Sequence, residues 1–200
     1  MQEEYMKAYI QWPNKRIGID GTLQRPPYSL AMGQEWVRAL DSKKGQDEVF
    51  AILLHDDTGK ERRYRYVGHT GLHRIHFPDA WASTGSVIGD PKGREGGTGT
   101  EAKLLLQKHA FKVLGVRKLV SNVKGWNAPS LGHLIKCGYK IVGRYSKHIF
   151  HEGTFVDEIL LECFREDWEP IWQKYEETKT LPKLTAKQRA LVSKQTTHND

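Results

Sequence analysis

Residues 84–108, TGSVIGDPKGREGGTGTEAKLLLQK, constrain the fold of this chain more than any other stretch. A short run rich in strand formers enters a glycine-dense segment, and apolar residues at helical spacing follow. That is the pattern of a strand turning into a helix through a glycine loop. Such a loop leaves backbone N–H groups without partners at the helix start, where the helix dipole adds positive potential, so it suits an anion. Gly93, Gly96, Gly97 and Gly99 can take positive φ and keep side chains away from a bulky guest. Arg94 can add a charge-assisted contact. The plain alternative is a glycine-rich surface turn that holds nothing.

The segments around the loop set the fold class. Upstream, residues 3–12 read as a short helix, WPNKRIGIDG as an exit into a loop, and residues 32–42 as a second helix. Strand patterns follow at 47–55 and 63–72, separated by a DDTG turn signal, and a third strand at 84–89 leads into the loop. Beyond it, Ala102, Leu105, Leu106, Ala110 and Leu114 form one stripe of a helix, with Lys103, Gln107 and Lys108 outside the stripe and a stop at Gly115. A strand at 118–123 precedes a helix that starts near Asn127, carries Pro129 in its first turn and stops at Gly138. Strands at 139–146 and 154–163 flank an HEG turn, and a helix spans 166–178. The expectation is a mixed, mostly antiparallel α/β sheet with flanking helices.

With 200 residues the chain suits one core, so residues 1–179 are expected to form a single domain and residues 180–200 a basic appended tail with one short helix. Hydrophobic content of 38% and charged content of 28% belong to a soluble globular protein, and no apolar stretch is long enough to cross a bilayer. The first residues lack the order of a secretory signal, which points to the cytoplasm. Cys137 and Cys163 suggest neither a disulfide framework nor a zinc ribbon, and read as half-buried packing residues. A formal charge of +7 favours acidic partners: a phosphorylated cofactor, nucleic acid or an acidic protein surface.

Three phosphate patterns can be compared with the loop. A nucleotide P-loop counted from Gly93 meets Thr98 at its second glycine and lacks the Lys-Ser/Thr pair. A dinucleotide fingerprint fits Gly97-Thr98-Gly99-Thr100-Glu101-Ala102 only in its Ala variant, and the antiparallel meander upstream argues against it. The pattern Arg/Gln-x-x-Gly-x-Gly/Ala is met by Arg94-Glu95-Gly96-Gly97-Thr98-Gly99. That pattern is one used for the pyrophosphate arm of coenzyme A; so short a match does not decide by itself, and the flanks do. Trp12-Pro13-Asn14, VGHTGL, VIGD, GTGTEA, Asn127-Ala128-Pro129-Ser130, Gly138-Tyr139 and Gly153 with Asp157 resemble, in order, segments of the GNAT superfamily of N-acetyltransferases. Within it the chain looks most like the ribosomal-protein N-terminal acetyltransferases of the RimJ/RimL type.

The resemblance implies a GNAT-type sheet with splayed central strands and acetyl-CoA as the cofactor. Ser86, Val87 and Ile88 would pair with the pantetheine arm, and Arg94, Gly96, Gly97, Thr98, Gly99 and Thr100 would hold the pyrophosphate. Glu95, in the middle of that signature, must point away from the guest. Asn127 caps its helix, contacts the cofactor, or does both. Ser130 is the expected acid for the departing thiolate; its alternative role is a bond to local backbone. Leu134 stands where many relatives have a Tyr acid, and Ile149 where the ribosomal-protein enzymes have a Glu base. His148 and His69 are therefore the candidate bases, with His151 and Glu152 nearby in sequence. Trp81 and Trp126 line an acceptor cleft or simply pack. His69, His73 and His76 lack the carboxylate or thiol that would complete a metal set, so no metal is expected. The first strand of the family is expected to be absent, replaced or lost from this chain; if lost, a sheet edge is exposed for pairing, so a monomer or a homodimer is expected. The implied reaction is direct acetyl transfer to a primary amine, with a protein N-terminus ahead of a polyamine or aminoglycoside. A non-catalytic nucleic-acid or ribosome-binding module, motivated by Arg62, Arg63, Arg65 and the basic tail, is less favoured.

Overall fold

A computed structural model describes residues 5–12, 14–15, 28–42, 45–56 and 63–196. Pro13, most of the exit segment that follows it, the 57–59 turn, Arg62 and the last four residues lie outside the described residues. Helices α1 (Met6–Gln11) and α2 (Leu30–Ser42) precede strands β1 (Glu48–Asp56), β2 (Arg63–His76) and β3 (Trp81–Ile88). A 3-10 turn (Pro91–Arg94) and α3 (Thr98–Lys108) follow, and a π-helical turn (His109–Val113) closes that helix. Then come β4 (Lys118–Lys124), α4 (Ala128–Lys136), β5 (Lys140–His151), β6 (Thr154–Phe164), α5 (Arg165–Thr178) and α6 (Ala186–Thr196).

The sheet is mixed and mostly antiparallel, with strand order β1-β2-β3-β4-β6-β5. β1 with β2, β4 with β6 and β5 with β6 are antiparallel, whereas β3 and β4 pair in parallel. That parallel ladder is short, running only from Trp81 opposite Lys118 to Ser83 opposite Val120. Among the described residues no strand precedes β1, which is an edge strand. The described helices include none long and apolar enough to cross a membrane.

Two compact units emerge, Met1–Ile75 with Thr84–Ala102 and His76–Ser83 with Lys103–Asp200. In the first, Met6, Tyr9, Trp12 and Tyr66 form a buried cluster, with Tyr5, Tyr28, Trp36 and Val37 packed on it. Aromatic rings dominate it: Tyr9 stacks on Trp36 at 5.0 Å, Tyr5 on Tyr66 at 4.7 Å and Trp12 on Tyr66 at 5.1 Å.

The second unit buries Leu104, Phe111, Leu119, Leu131, Ile159 and Trp168. Along α3 and the turn that closes it, Leu106 and Ala110 are buried as the stripe predicted, but three neighbours depart from it. Lys103, Leu104 and Gln107 are buried, while Leu105 is half exposed. Gln107 belongs inside because its Nε2 donates to the Cys137 carbonyl at 2.9 Å and to Cys163 Sγ at 3.4 Å. Burial pushes the Lys103 amine down to about 8. Cys137 and Cys163 are fully buried rather than half-buried, and burial pushes the Cys137 thiol up to about 12. Residues 181–196 are docked through α6: Leu184 and Val192 lie against Gly132 of α4, and Val192 is buried.

Candidate active site

The glycine loop is built entirely within the first unit. β3 ends at Ile88, and the peptide that joins it to Gly89 is held at both ends. Arg94 donates to the Ile88 carbonyl from Nε at 3.0 Å and from Nη2 at 2.9 Å, while the Gly89 N–H donates to the Val67 carbonyl at 3.0 Å. A Cβ on Gly89 would fall inside the Trp12 indole, so only glycine permits that ring to lie flat on the chain at the loop entrance. Asp90 opens the 3-10 turn by accepting from the Lys92 N–H at 2.9 Å and from Arg65 Nε at 2.7 Å. Burial pulls its carboxyl up, yet these donors hold it below the usual carboxylate range.

Past the turn, Gly96 and Gly97 take φ of +67° and +84°, consecutive left-handed residues that shape an anion nest before α3. Space is open where a Gly96 side chain would stand. Thr98 Oγ1 donates to the Glu95 carbonyl at 3.2 Å, and the Thr100 and Glu101 N–H groups donate to the Gly97 carbonyl at 2.8 and 3.0 Å. Among the described residues, the N–H groups of residues 96–99 have no protein acceptor. Glu95 is exposed. Such a cradle fits a pyrophosphate, while Arg94 commits two of its donors to the loop itself.

Before the loop, Ser86 is tied to β2, its hydroxyl 2.7 Å from Thr70 Oγ1, and Thr70 also donates to the Gly85 carbonyl at 3.2 Å. Val87 runs so close to β2 that a Cβ on Gly68 would collide with its carbonyl oxygen.

Asn127, Ser130 and His148 belong to the second unit. Asn127 caps α4: its Oδ1 accepts from the Ser130 N–H at 3.1 Å, with Pro129 inside the first turn. Among the described residues the Ser130 hydroxyl has no hydrogen-bond partner in the protein, while its N–H is the one that Asn127 caps. Leu134 is part of the buried core. On β5 three residues, 146–148, oppose the single Asp157 of β6, because pairing steps from Tyr145–Glu158 to Ile149–Val156. Asp157 secures this bulge by accepting from the Lys147 N–H and from Arg144 Nη1, both at 2.8 Å. Those two donors hold its carboxyl below the usual range. His148 emerges from the bulge with Nε2 at 3.6 Å from Oε2 of Glu158. Nothing in the sequence singled out Glu158, which is buried on β6.

The remaining histidines have other surroundings. His69 is buried between Tyr9 at 5.1 Å and Trp36 at 5.8 Å, with Nδ1 at 3.4 Å from the Tyr66 hydroxyl. Burial, reinforced by His73, pushes it down to about 4, so it is neutral at physiological pH but a feeble base. His73 lies 3.8 Å from Asp47, and His76 lies 3.1 Å from Asp79 and stacks on Trp81. No group of three metal-ligating side chains occurs among the described residues. The Trp126 and His151 rings lie 4.4 Å apart, tilted by 31°. Of the arginines that suggested a nucleic-acid surface, Arg65 is engaged with Asp90.

Comparison with known proteins agrees with this architecture. Spermidine N-acetyltransferase of Vibrio cholerae, in a crystal structure with CoA and spermine, superposes with a TM-score of 0.72 at 15% identity, over 84% of this chain and 95% of that one. Mutant forms of the spermidine/spermine N-acetyltransferase from the same organism give 0.69 at 14%, over 85% and 94%. A dodecameric structure of the Vibrio spermidine enzyme in an intermediate state gives 0.67 at 15%, over 84% and 92%. At such identities the likeness establishes the fold alone. No curated protein matches by sequence. Residues 2–140 match the sequence profile of the acetyltransferase (GNAT) domain. The chain therefore belongs to the GNAT family, N-acetyltransferases that take their acetyl group from acetyl-CoA.

Proposed function

We propose that this acetyltransferase works in the cytoplasm and acetylates a protein N-terminal amine by direct transfer in a ternary complex, in the manner of the RimJ/RimL branch. The observation that carries the cofactor half of this reading is the nest at Gly96–Gly99, whose four N–H groups have no protein acceptor among the described residues. When bound there, acetyl-CoA supplies an activated thioester. Residues 96–100 would hold its pyrophosphate, and the clamp of Arg94 on Ile88 fixes the strand end beforehand. A backbone N–H at Val87 or Ile88 would be the donor to the acyl oxygen of bound acetyl-CoA. Ser130, whose hydroxyl has no hydrogen-bond partner among the described residues, would supply the proton that the thiol product needs. His148 takes the proton from the attacking amine; His69, held low by burial, is the weaker of the two histidines for that task.

The choice of acceptor rests on the resemblance of Asn127–Ser130 and on the charge of +7, which disfavours a polycation. A second reading, a polyamine acceptor, is favoured by the fold shared with the Vibrio spermidine enzyme. Two measurements decide. Calorimetry should show acetyl-CoA binding to the parent and at least tenfold weaker binding to Gly97→Glu; an equal affinity removes the nest from the site. Thiol release over a panel of peptides, spermidine and aminoglycosides should be fastest with a peptide. Turnover of spermidine alone replaces the acceptor.

A further inference from the structure

Glu158 is buried on β6, and its two carboxylate oxygens have different partners. Asn122 Nδ2 donates to Oε1, and His148 Nε2 lies 3.6 Å from Oε2. The sheet explains how these groups meet. Lys124 is directly opposite Glu158 in the β4–β6 ladder, and Asn122, two residues earlier on β4, shares its face. Tyr145 is the partner of Glu158 on β5, and its ring lies 4.9 Å from His148. His148 reaches this face only because the bulge held by Asp157 inserts two extra residues into β5. The Lys124 ammonium lies over the Trp126 ring at 5.2 Å.

We infer that Glu158, fixed by Asn122, is the positioning residue for His148: it receives the imidazole Nε2–H and leaves Nδ1 as the proton acceptor. The inference rests on His148 being the base, as proposed above. A separation of 3.6 Å is one small side-chain rotation from a hydrogen bond, a looseness common in proton-transfer pairs before substrate binds. A buried carboxylate that only joined β6 to β4 would need Asn122 alone. Here its second oxygen faces a half-exposed imidazole placed by a strained bulge, in which Lys147 has φ of +49°. The arrangement follows the general logic of a base oriented by a third group. No covalent step is involved: one proton passes from the amine to Nδ1 and then to solvent.

The test combines a double-mutant cycle with tautomer spectroscopy. With the best acceptor from the panel, His148→Asn and Glu158→Gln should each lower kcat about tenfold or more with little change in KM. The double variant should fall no more than about twofold below His148→Asn, since residues acting as a unit are non-additive. Long-range nitrogen–proton spectra of the unliganded parent should show the His148 Nε2–H tautomer, becoming mixed in Glu158→Leu and in Asn122→Ala. Multiplicative losses, or a mixed tautomer in the parent, overturn the role of Glu158 and leave His148 standing. An unchanged kcat in His148→Asn overturns the base and this inference with it. Asn122→Ala, at an exposed position, gives the answer if Glu158→Leu does not fold.

Discussion

Lys103 shows how far a single residue can depart from its pattern. Its stem fills the core side of α3, and its amine is pushed down to about 8 from an ordinary 10.5. Between those values the unfolded chain binds a proton that the native chain does not, so this group makes stability rise with pH from about 8 to 10.5. Below 8 both states are charged and the cost of burial is fully present. Lys103→Met should therefore raise stability at pH 7 by up to about 3 kcal/mol, at roughly 1.36 kcal/mol per pKa unit, and remove that rise. Urea unfolding of parent and variant at about pH 7, 8 and 9 checks it through the difference between the two curves. Cys137 and Cys163, whose thiols burial raises, weaken the fold above pH 9, so the rise is read between pH 8 and 9. Helical spacing alone placed Lys103 outside, because a periodicity argument counts a lysine as polar over its whole length. Its methylene stem was invisible to it.

At the scale of elements, legibility followed the range of the interaction. Gly115 and Gly138 end their helices at φ of +70° and +92°, Asn127 caps α4, and Glu152–Gly153 turn the last hairpin. Each of these is a local steric rule that a short window of sequence contains. The bulge in β5 was not legible, since it depends on Asp157 meeting Lys147 and Arg144 across the ladder. Nor was the packing of Trp12 on Gly89, or the aromatic shell of His69, because both join segments far apart in the chain. The bulge yields a prediction of its own. Asp157→Ala should speed hydrogen exchange at the Lys147 amide by about tenfold or more, the loss of a charge-assisted bond of roughly 1.5–3 kcal/mol, and should leave the Leu161 amide unchanged. Equal acceleration at both sites would mean that Asp157 supports the whole strand pair.

For the whole molecule, the docked C-terminal helix alters the meaning of the basic segment after Leu181. Leu184 and Val192 brace α4 at Gly132, and Gln195 accepts from Arg144 Nη2 through its backbone and side-chain oxygens, both at 2.7 Å. The segment thus supports both the helix that carries Ser130 and the arginine that holds the β5 bulge. Truncation after Thr180 should lower Tm by several degrees, in line with the loss of about 1–2 kcal/mol of apolar burial, and reduce kcat while acetyl-CoA affinity stays within about threefold. Thermal unfolding, kinetics and calorimetry of the shortened chain give the three values; an unchanged kcat would make the segment a mere appendage. The ring of Trp12, flat against Gly89, has a further use. It places an intrinsic fluorophore at the mouth of the glycine loop, so the emission difference between the parent and Trp12→Phe is an optical record of that loop, readable in a stopped-flow cell without any label.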